Sequence, residues 1–183
     1  MNRCVSKNYI CIDRYVWRKS NARTPTLPLQ GPRSRNHVCL PPSVLPIPMK
    51  TYIFACIHNA GRSQMAAAFF NQLADSTQAR ALSAGTNPGP HVHPIVVDAM
   101  REAGIDLSAA HPQLLTDDLV RDATLLITMG CGEACPYIPN LRREDWPLPD
   151  PKDLPLDQVR LIREEIRARI HALLIAEGLT RAS

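Results

Sequence analysis

From residue 50 onward the chain alternates short apolar runs with mixed, helix-length stretches; before residue 49 it shows no sustained periodicity. Residues 51–56 (TYIFAC) are a continuous apolar run of strand length and predict a buried strand. Residues 62–75 (RSQMAAAFFNQLAD), rich in Ala, Met and Leu, predict a helix. Residues 79–84 predict a second short strand, ended by Gly85, and residues 94–103 (PIVVDAMREA) a helix stopped by Gly104. Residues 116–121 predict a short helix with Thr116 as N-cap and Asp117 and Asp118 in its first turn. Residues 123–129 (ATLLITM) predict a third strand and residues 143–148 a weaker fourth. Residues 156–177 predict a long helix, with Leu156, Val159, Ile162, Ile166, Ile170, Leu173 and Leu174 marking one face.

Strands that alternate with helices predict an α/β fold, a small parallel sheet of about four strands flanked by helices on both faces. Ligands in such sheets sit at the carboxyl ends of the strands, in loops that open the next helix. A chain of 183 residues holds one domain with a real core, and no internal repeat divides it.

Composition changes this picture mainly at the N-terminus. Residues 1–48 contain seven prolines, and stretches such as LPPSVLPIP neither propagate a helix nor fit a central strand. This head is expected to be disordered and Arg-rich, with the folded domain at residues 49–183. Three readings compete for it: an upstream start-site artefact with translation beginning at Met49, a dispensable tail, or a targeting peptide. The first is preferred; the prolines interrupt the amphipathic helix that the last requires.

The formal charge of +4 divides unevenly, since residues 1–48 carry eight Lys or Arg and one Asp, while residues 49–183 carry 13 basic and 16 acidic residues. The basic balance belongs to the head alone. With 5% aromatic residues and no basic stripe, the domain does not read as a nucleic-acid binder. No apolar run approaches the roughly 20 residues of a membrane span, and no secretory signal is visible. A cytoplasmic monomer is expected. Six cysteines could form a disulfide framework, but without a secretion signal they are read as catalytic, redox or metal-binding.

The chemistry concentrates in Cys56-Ile57-His58-Asn59-Ala60-Gly61-Arg62-Ser63, which follows an apolar strand and opens a helix. A short turn at a helix N-terminus can aim several backbone N–H groups at one point and bind an oxyanion. Gly61 permits a tight path, and Arg62 offers a planar fork for two oxygens of a tetrahedral anion. The same positive field favours a thiolate at Cys56, a nucleophile to which Ser63 can donate its hydroxyl. Asn59 can hold the shape of the turn. His58 is expected to face solvent and not to act as a base.

This turn with IHNAGRSQMAAAFF, SAGT (83–86), TMGCGEACP (128–136) and DWPLPDP (145–151) resembles the thioredoxin- or mycothiol-coupled arsenate reductases of the low-molecular-weight tyrosine phosphatase superfamily. The likeness runs from about residue 50 to residue 178 and excludes the head. It implies that Asp150, between two prolines, is the general acid that protonates the leaving oxygen. On the residues alone, Asp150 could equally start a turn. Asp153 is expected to begin the following helix, and Trp146 to pack in the core.

Cys131 and Cys135 would lie about 6 Å apart at Cα if the residues between them form a helical turn, within disulfide range. A zinc site needs about four ligands, and this pair supplies two. His91 and His93 could supply the others, but they read better as a solvated loop pair, and no metal is expected. The resemblance implies a relay from Cys56 through Cys131 to Cys135 on a flexible surface segment. An external thiol system then restores the enzyme: thioredoxin, or mycothiol or glutathione with its redoxin; no bound cofactor is expected. Some relatives place a glutamate of a cation site where Ala67 stands here, so no bound potassium is expected. The alternative is a low-molecular-weight tyrosine phosphatase using the same turn and aspartate. Lys152-Asp153-Leu154 supplies no aromatic ring to clamp a phenol, which favours arsenate as the substrate.

Overall fold

The computed structural model describes residues 10–11, 39–40, 48–131, 135 and 139–181. The chain divides into two units, Met1–Ile47 and Pro48–Ser183. In the first, strands β1 (Ile10–Cys11) and β2 (Cys39–Leu40) pair antiparallel; the rest of the head, and with it the expectation of disorder, lies outside the described residues.

The second unit is built on β3 (Lys50–Cys56), β4 (Ala79–Gly85), β5 (Leu125–Thr128) and β6 (Arg143–Asp145), all parallel in the order β4-β3-β5-β6. The central strand explains the continuous apolar run: Tyr52, Ile53, Phe54 and Ala55 are all fully buried, because both faces of β3 are covered. Alternate residues serve two cores. Tyr52, Phe54 and Cys56 join the cluster formed by α1 (Arg62–Leu73), α2 (Pro94–Glu102) and α4 (Leu156–Glu177). Ile53 and Ala55 join a smaller one with Leu115, Leu126, and Val120 of α3 (Asp117–Arg121). The expected parallel four-stranded sheet with helices on both faces is what the chain forms.

Register brings the strand ends into line: Cys56 pairs with Gly85, Ala55 with Thr128, and Thr128 with Asp145. The expected boundaries hold within two residues for the helices, and Thr116 accepts from the Leu119 N–H as N-cap of α3. Strands β5 and β6 are shorter than expected because pairing stops at Thr128 and Asp145, where the chain turns into the site. One expectation fails: Asp153 does not start α4. Pro155 occupies the N-cap, and Asp153 is exposed at φ +58° within the turn after Asp150. Among the described residues no helix is long and apolar enough to cross a membrane.

The far end of the sheet is closed by one carboxylate. Glu177, at the end of α4, accepts from the buried Tyr52 hydroxyl at 2.9 Å and from Arg142 at 2.6 Å, with Lys50 at 3.7 Å. Arg142 first, and then the Tyr52 hydrogen bond, hold the Glu177 carboxyl below its ordinary pKa against the opposing effect of burial. A carboxyl with a depressed folded pKa adds stability above its unfolded value, about 4.3, and loses it as pH falls through the folded one. Glu177→Ala should therefore cost about 1–3 kcal/mol in urea unfolding at neutral pH, because it strands the Tyr52 hydroxyl. The gap between variant and wild type should close as pH drops below about 4.

Candidate active site

The site begins with a question of where backbone groups go. The turn from Cys56 to Gly61 is largely buried, so its carbonyls need partners. Segment 86–93 supplies them: the N–H groups of Thr86, Asn87, Gly89 and His93 donate to the carbonyls of Cys56, Ile57, His58 and Ala60 at 2.8–3.1 Å. A trans peptide points its N–H opposite to its C=O. The N–H groups of Ile57, His58, Asn59 and Gly61 therefore point away from segment 86–93. One of them, Asn59 N–H, reaches the Cys56 sulfur at 3.2 Å. Helix α1 opens directly from this turn, with Gly61 as N-cap, no side-chain cap bond and no acidic residue in its first turn. Its positive end is left to face the cysteine.

Cys56 is a free thiol, 2% exposed, with the Ser63 hydroxyl at 3.1 Å. Asn59, at φ +50°, donates from Nδ2 to Ser63 Oγ at 2.8 Å, and its Oδ1 accepts from Gln64 Nε2 and from the Gln113 N–H. Asn and Asp visit this left-handed region more readily than other residues with side chains.

Arg62 ties three segments together. It is buried, and it donates from Nη1 to the Leu148 carbonyl at 3.0 Å and from Nη2 to Asp150 Oδ2 at 2.9 Å. Among the described residues its buried Nε has no hydrogen-bond partner, an unspent donor of the kind an oxyanion would satisfy. Asp150 Oδ1 accepts from the Lys152 N–H at 3.1 Å, so the aspartate starts a turn while its other oxygen meets Arg62. A Cβ on Gly61 would lie 2.6 Å from Pro151 Cγ, so the absent side chain is what lets the Asp150–Pro151 segment rest on the turn after Cys56.

Cys131 and Cys135 form a disulfide with a Cα separation of 5.9 Å, close to the spacing expected from a helical turn. The expected flexible surface location is not what the described cysteines show. They are 6% and 5% exposed and belong to the smaller core with Ile53, Ala55 and Leu126. The reason is position: they follow β5 directly and fold under the sheet, with Cys131 Sγ 4.0 Å from the Ala55 carbonyl. Gly130, at φ +79°, lies against Arg62; a Cβ there would come within 2.8 Å of Nη1. The first cysteine of the pair is thus one residue from a contact with Arg62.

Two histidines differ from expectation. His58 is half-buried, and His93 is half-buried where the first turn of α2 meets the Asp150 segment; His91 alone is exposed. Burial pushes the His93 imidazole below its ordinary pKa, and the Asp150 carboxylate opposes that shift. Two further residues, Gln64 and Gln113, carry no local signal: Gln64 follows Arg62 and Ser63, and Gln113 is exposed. Trp146 is buried and packs on Phe54, as expected. Among the described residues no group of three or more His, Cys, Asp or Glu is placed to hold a metal.

Comparison with known proteins places these features in a family. Residues 51–182 match the family model for low molecular weight phosphotyrosine protein phosphatases. The arsenate reductase of Staphylococcus aureus strain Newman is 33% identical over 126 residues, 66% of this chain and 93% of that protein. Among solved structures, the thioredoxin-dependent arsenate reductase of Corynebacterium glutamicum is similar, with 37% identity and a TM-score of 0.61; the match covers 73% of this chain and 63% of that one. An arsenate reductase from Archaeoglobus fulgidus is 28% identical with a TM-score of 0.58, over 67% of this chain and 98% of that one. With a matching strand-turn-helix site and a family match across most of its length, this chain belongs to the low molecular weight phosphotyrosine protein phosphatase family.

Proposed function

We propose that this chain reduces arsenate to arsenite, with Cys56 as the nucleophile and Cys131 and Cys135 as the thiols that pass electrons onward. One observation carries the reading. A free Cys56 in an anion-binding turn coexists with a Cys131–Cys135 disulfide that begins one residue from a contact with Arg62. A phosphatase needs the turn and an acid but has no use for that pair. The similarity to arsenate reductases of S. aureus and C. glutamicum supports the same choice.

The chemistry runs as a sequence of displacements. Arsenate enters the concave turn, held by inward N–H groups and by Arg62, whose fork leaves Asp150 to grip two oxygens. The Cys56 thiolate attacks arsenic. Asp150, released from the arginine, protonates the departing oxygen, which leaves as water. Cys131 then attacks Cys56 Sγ: an S–S bond forms, the S–As bond breaks, and its electron pair stays on arsenic, which leaves as arsenite. Cys135 attacks Cys131 Sγ, freeing Cys56 as a thiolate and leaving the Cys131–Cys135 bond. The structure has the bonding pattern of that last state.

An external dithiol must then reduce a bond whose two cysteines are buried. Thioredoxin is the favoured reductant, with mycothiol or glutathione and its redoxin as the other candidates. The sulfur has to be presented by local opening of the segment around it. A cycle that returns three thiols to the reduced form belongs in the cytoplasm. Residues 1–48 take no part in this scheme, and the folded domain begins at residue 49.

Cys56→Ser should abolish arsenate reduction and any aryl-phosphate hydrolysis, measured by NADPH oxidation with thioredoxin and its reductase, and by phenol release. More than a trace of either activity would exclude Cys56 as the nucleophile. Cys131→Ser should stop multiple turnover. Cys135→Ser should release about one arsenite per enzyme and stall as a Cys56–Cys131 disulfide, visible by mass spectrometry of unreduced digests. Both variants should keep aryl-phosphate hydrolysis; wild-type arsenate turnover in both would exclude the relay, and the lack of any Cys56–Cys131 peptide pair would favour the phosphatase reading. Gly61→Ala should push Pro151 away and carry Asp150 off its position, lowering kcat by about 100-fold with the fold intact by circular dichroism.

A further inference from the structure

Gln64 is a buried polar residue that the scheme above does not use. It is the third residue of α1 and 5% exposed, in a region where an apolar side chain would pack at less cost. Its Nε2 donates to Asn59 Oδ1 at 3.1 Å and to the His111 carbonyl at 3.3 Å. Asn59 Oδ1 also accepts from the Gln113 N–H at 2.9 Å.

A side-chain amide can be turned over without changing its shape, so its direction has to come from its partners. Here the partners leave no choice. A backbone carbonyl only accepts, so the atom of Gln64 facing His111 must be the nitrogen. A backbone N–H only donates, so the atom of Asn59 facing Gln113 must be the oxygen. Asn59 Nδ2 is then committed to Ser63 Oγ at 2.8 Å, and Ser63 accepts there. Its one proton remains for the Cys56 sulfur at 3.1 Å, which could in principle have been the donor. Were Cys56 the donor, the Ser63 hydrogen would be left without a partner in a fully buried position. With Asn59 turned over, Oδ1 would take the Ser63 proton, and Cys56 would lose its hydroxyl donor.

The segment carrying the two backbone anchors is itself held to the sheet. Gln113 Nε2 donates to the Ser83 carbonyl at 2.7 Å, Gly85 N–H to the Gln113 carbonyl at 2.9 Å, and Leu115 N–H to the Gly85 carbonyl at 2.8 Å. We infer that Gln64 is a positioning residue. Together with the Gln113 N–H it holds Asn59 Oδ1 in place, and so steadies a hydrogen-bond chain that ends with Ser63 donating to the Cys56 sulfur. The inference rests on Cys56 being the reactive thiolate, and its test reads that thiolate directly, without arsenate turnover.

Gln64→Met keeps the volume and removes the donor. The probe is iodoacetamide, with the Cys56 peptide quantified by mass spectrometry from pH 6 to pH 9.5. Cys56 alkylation near neutral pH should fall by about tenfold, the size of one lost hydrogen bond to a charged group, and should recover at alkaline pH. In a Ser63→Ala background the same change should have no further effect, since the chain then has no last donor. A merely structural role would lower alkylation kinetics, if at all, without this pH dependence and without that cancellation. Should the Met variant not fold, Gln64→Glu keeps the shape and is read in the same pair of backgrounds. Wild-type alkylation rates in Gln64→Met, or a loss that persists beside Ser63→Ala, would overturn the role of Gln64 alone. A wild-type Cys56 alkylated at neutral pH no faster than N-acetylcysteine in the same reaction would overturn the nucleophile assignment, and this inference with it.

Discussion

The site depends on the disposal of four carbonyl groups. A turn can aim its N–H groups inward only if the carbonyls on the same peptides find acceptable partners outward, and in a buried place water cannot supply them. Segment 86–93 does so along its whole length, from Thr86 to His93. This explains why the stretch after β4 runs back along the anion turn before α2 begins. It also explains why so polar a concavity can sit at the end of a strand as apolar as β3. The strand brings no charge; the positive character comes from oriented peptide groups, the start of α1 and Arg62.

Arg62 then sets the distance scale for everything else. Its guanidinium meets Asp150, the Leu148 carbonyl and Gly130 in one place. Arg62 itself opens the helix after β3, Gly130 follows β5 and Leu148 and Asp150 follow β6, so one buried cation gathers the ends of three strands. A lysine could not bind two of these segments through separate donors of a rigid fork while keeping a third donor for a ligand. The absence of side chains at Gly61 and Gly130 is the complementary requirement, because both glycines lie where the loops close on each other.

The two cores divide the chemistry. Cys56 lies with the three-helix core, while Cys131 and Cys135 lie with the smaller one on the other face, beside Ile53 and Ala55 of the same strand. In the proposed relay, thiol exchange passes across the end of β3. Burial shields the oxidised pair from casual attack by small thiols and makes access to it a matter of local opening, which the smaller core can allow at less cost than the larger.

Local information was enough for a good deal of this. The apolar run at 51–56, the face from Val159 to Leu174 and the Thr116 cap each have a period or a residue type that physics assigns to one conformation. The spacing from Cys56 to Arg62 and Ser63 places a thiol, a fork and a hydroxyl around one turn whatever lies beyond it. What the chain could not announce locally was partnership between distant segments. The four amides of residues 86–93, the Gln113 N–H on Asn59, the half-buried His93 and the burial of the disulfide all arise from residues about 30 to 80 positions apart that meet only because β4, β3, β5 and β6 align their carboxyl ends. Even the start of α4 was decided this way: Asp153 has the side chain of an N-cap, but the turn that Asp150 makes to reach Arg62 uses Asp153 for its backbone and leaves the cap to Pro155. Sequence determined which groups could react; tertiary structure decided which way their hydrogen bonds run, because direction depends on partners that only the closed fold supplies.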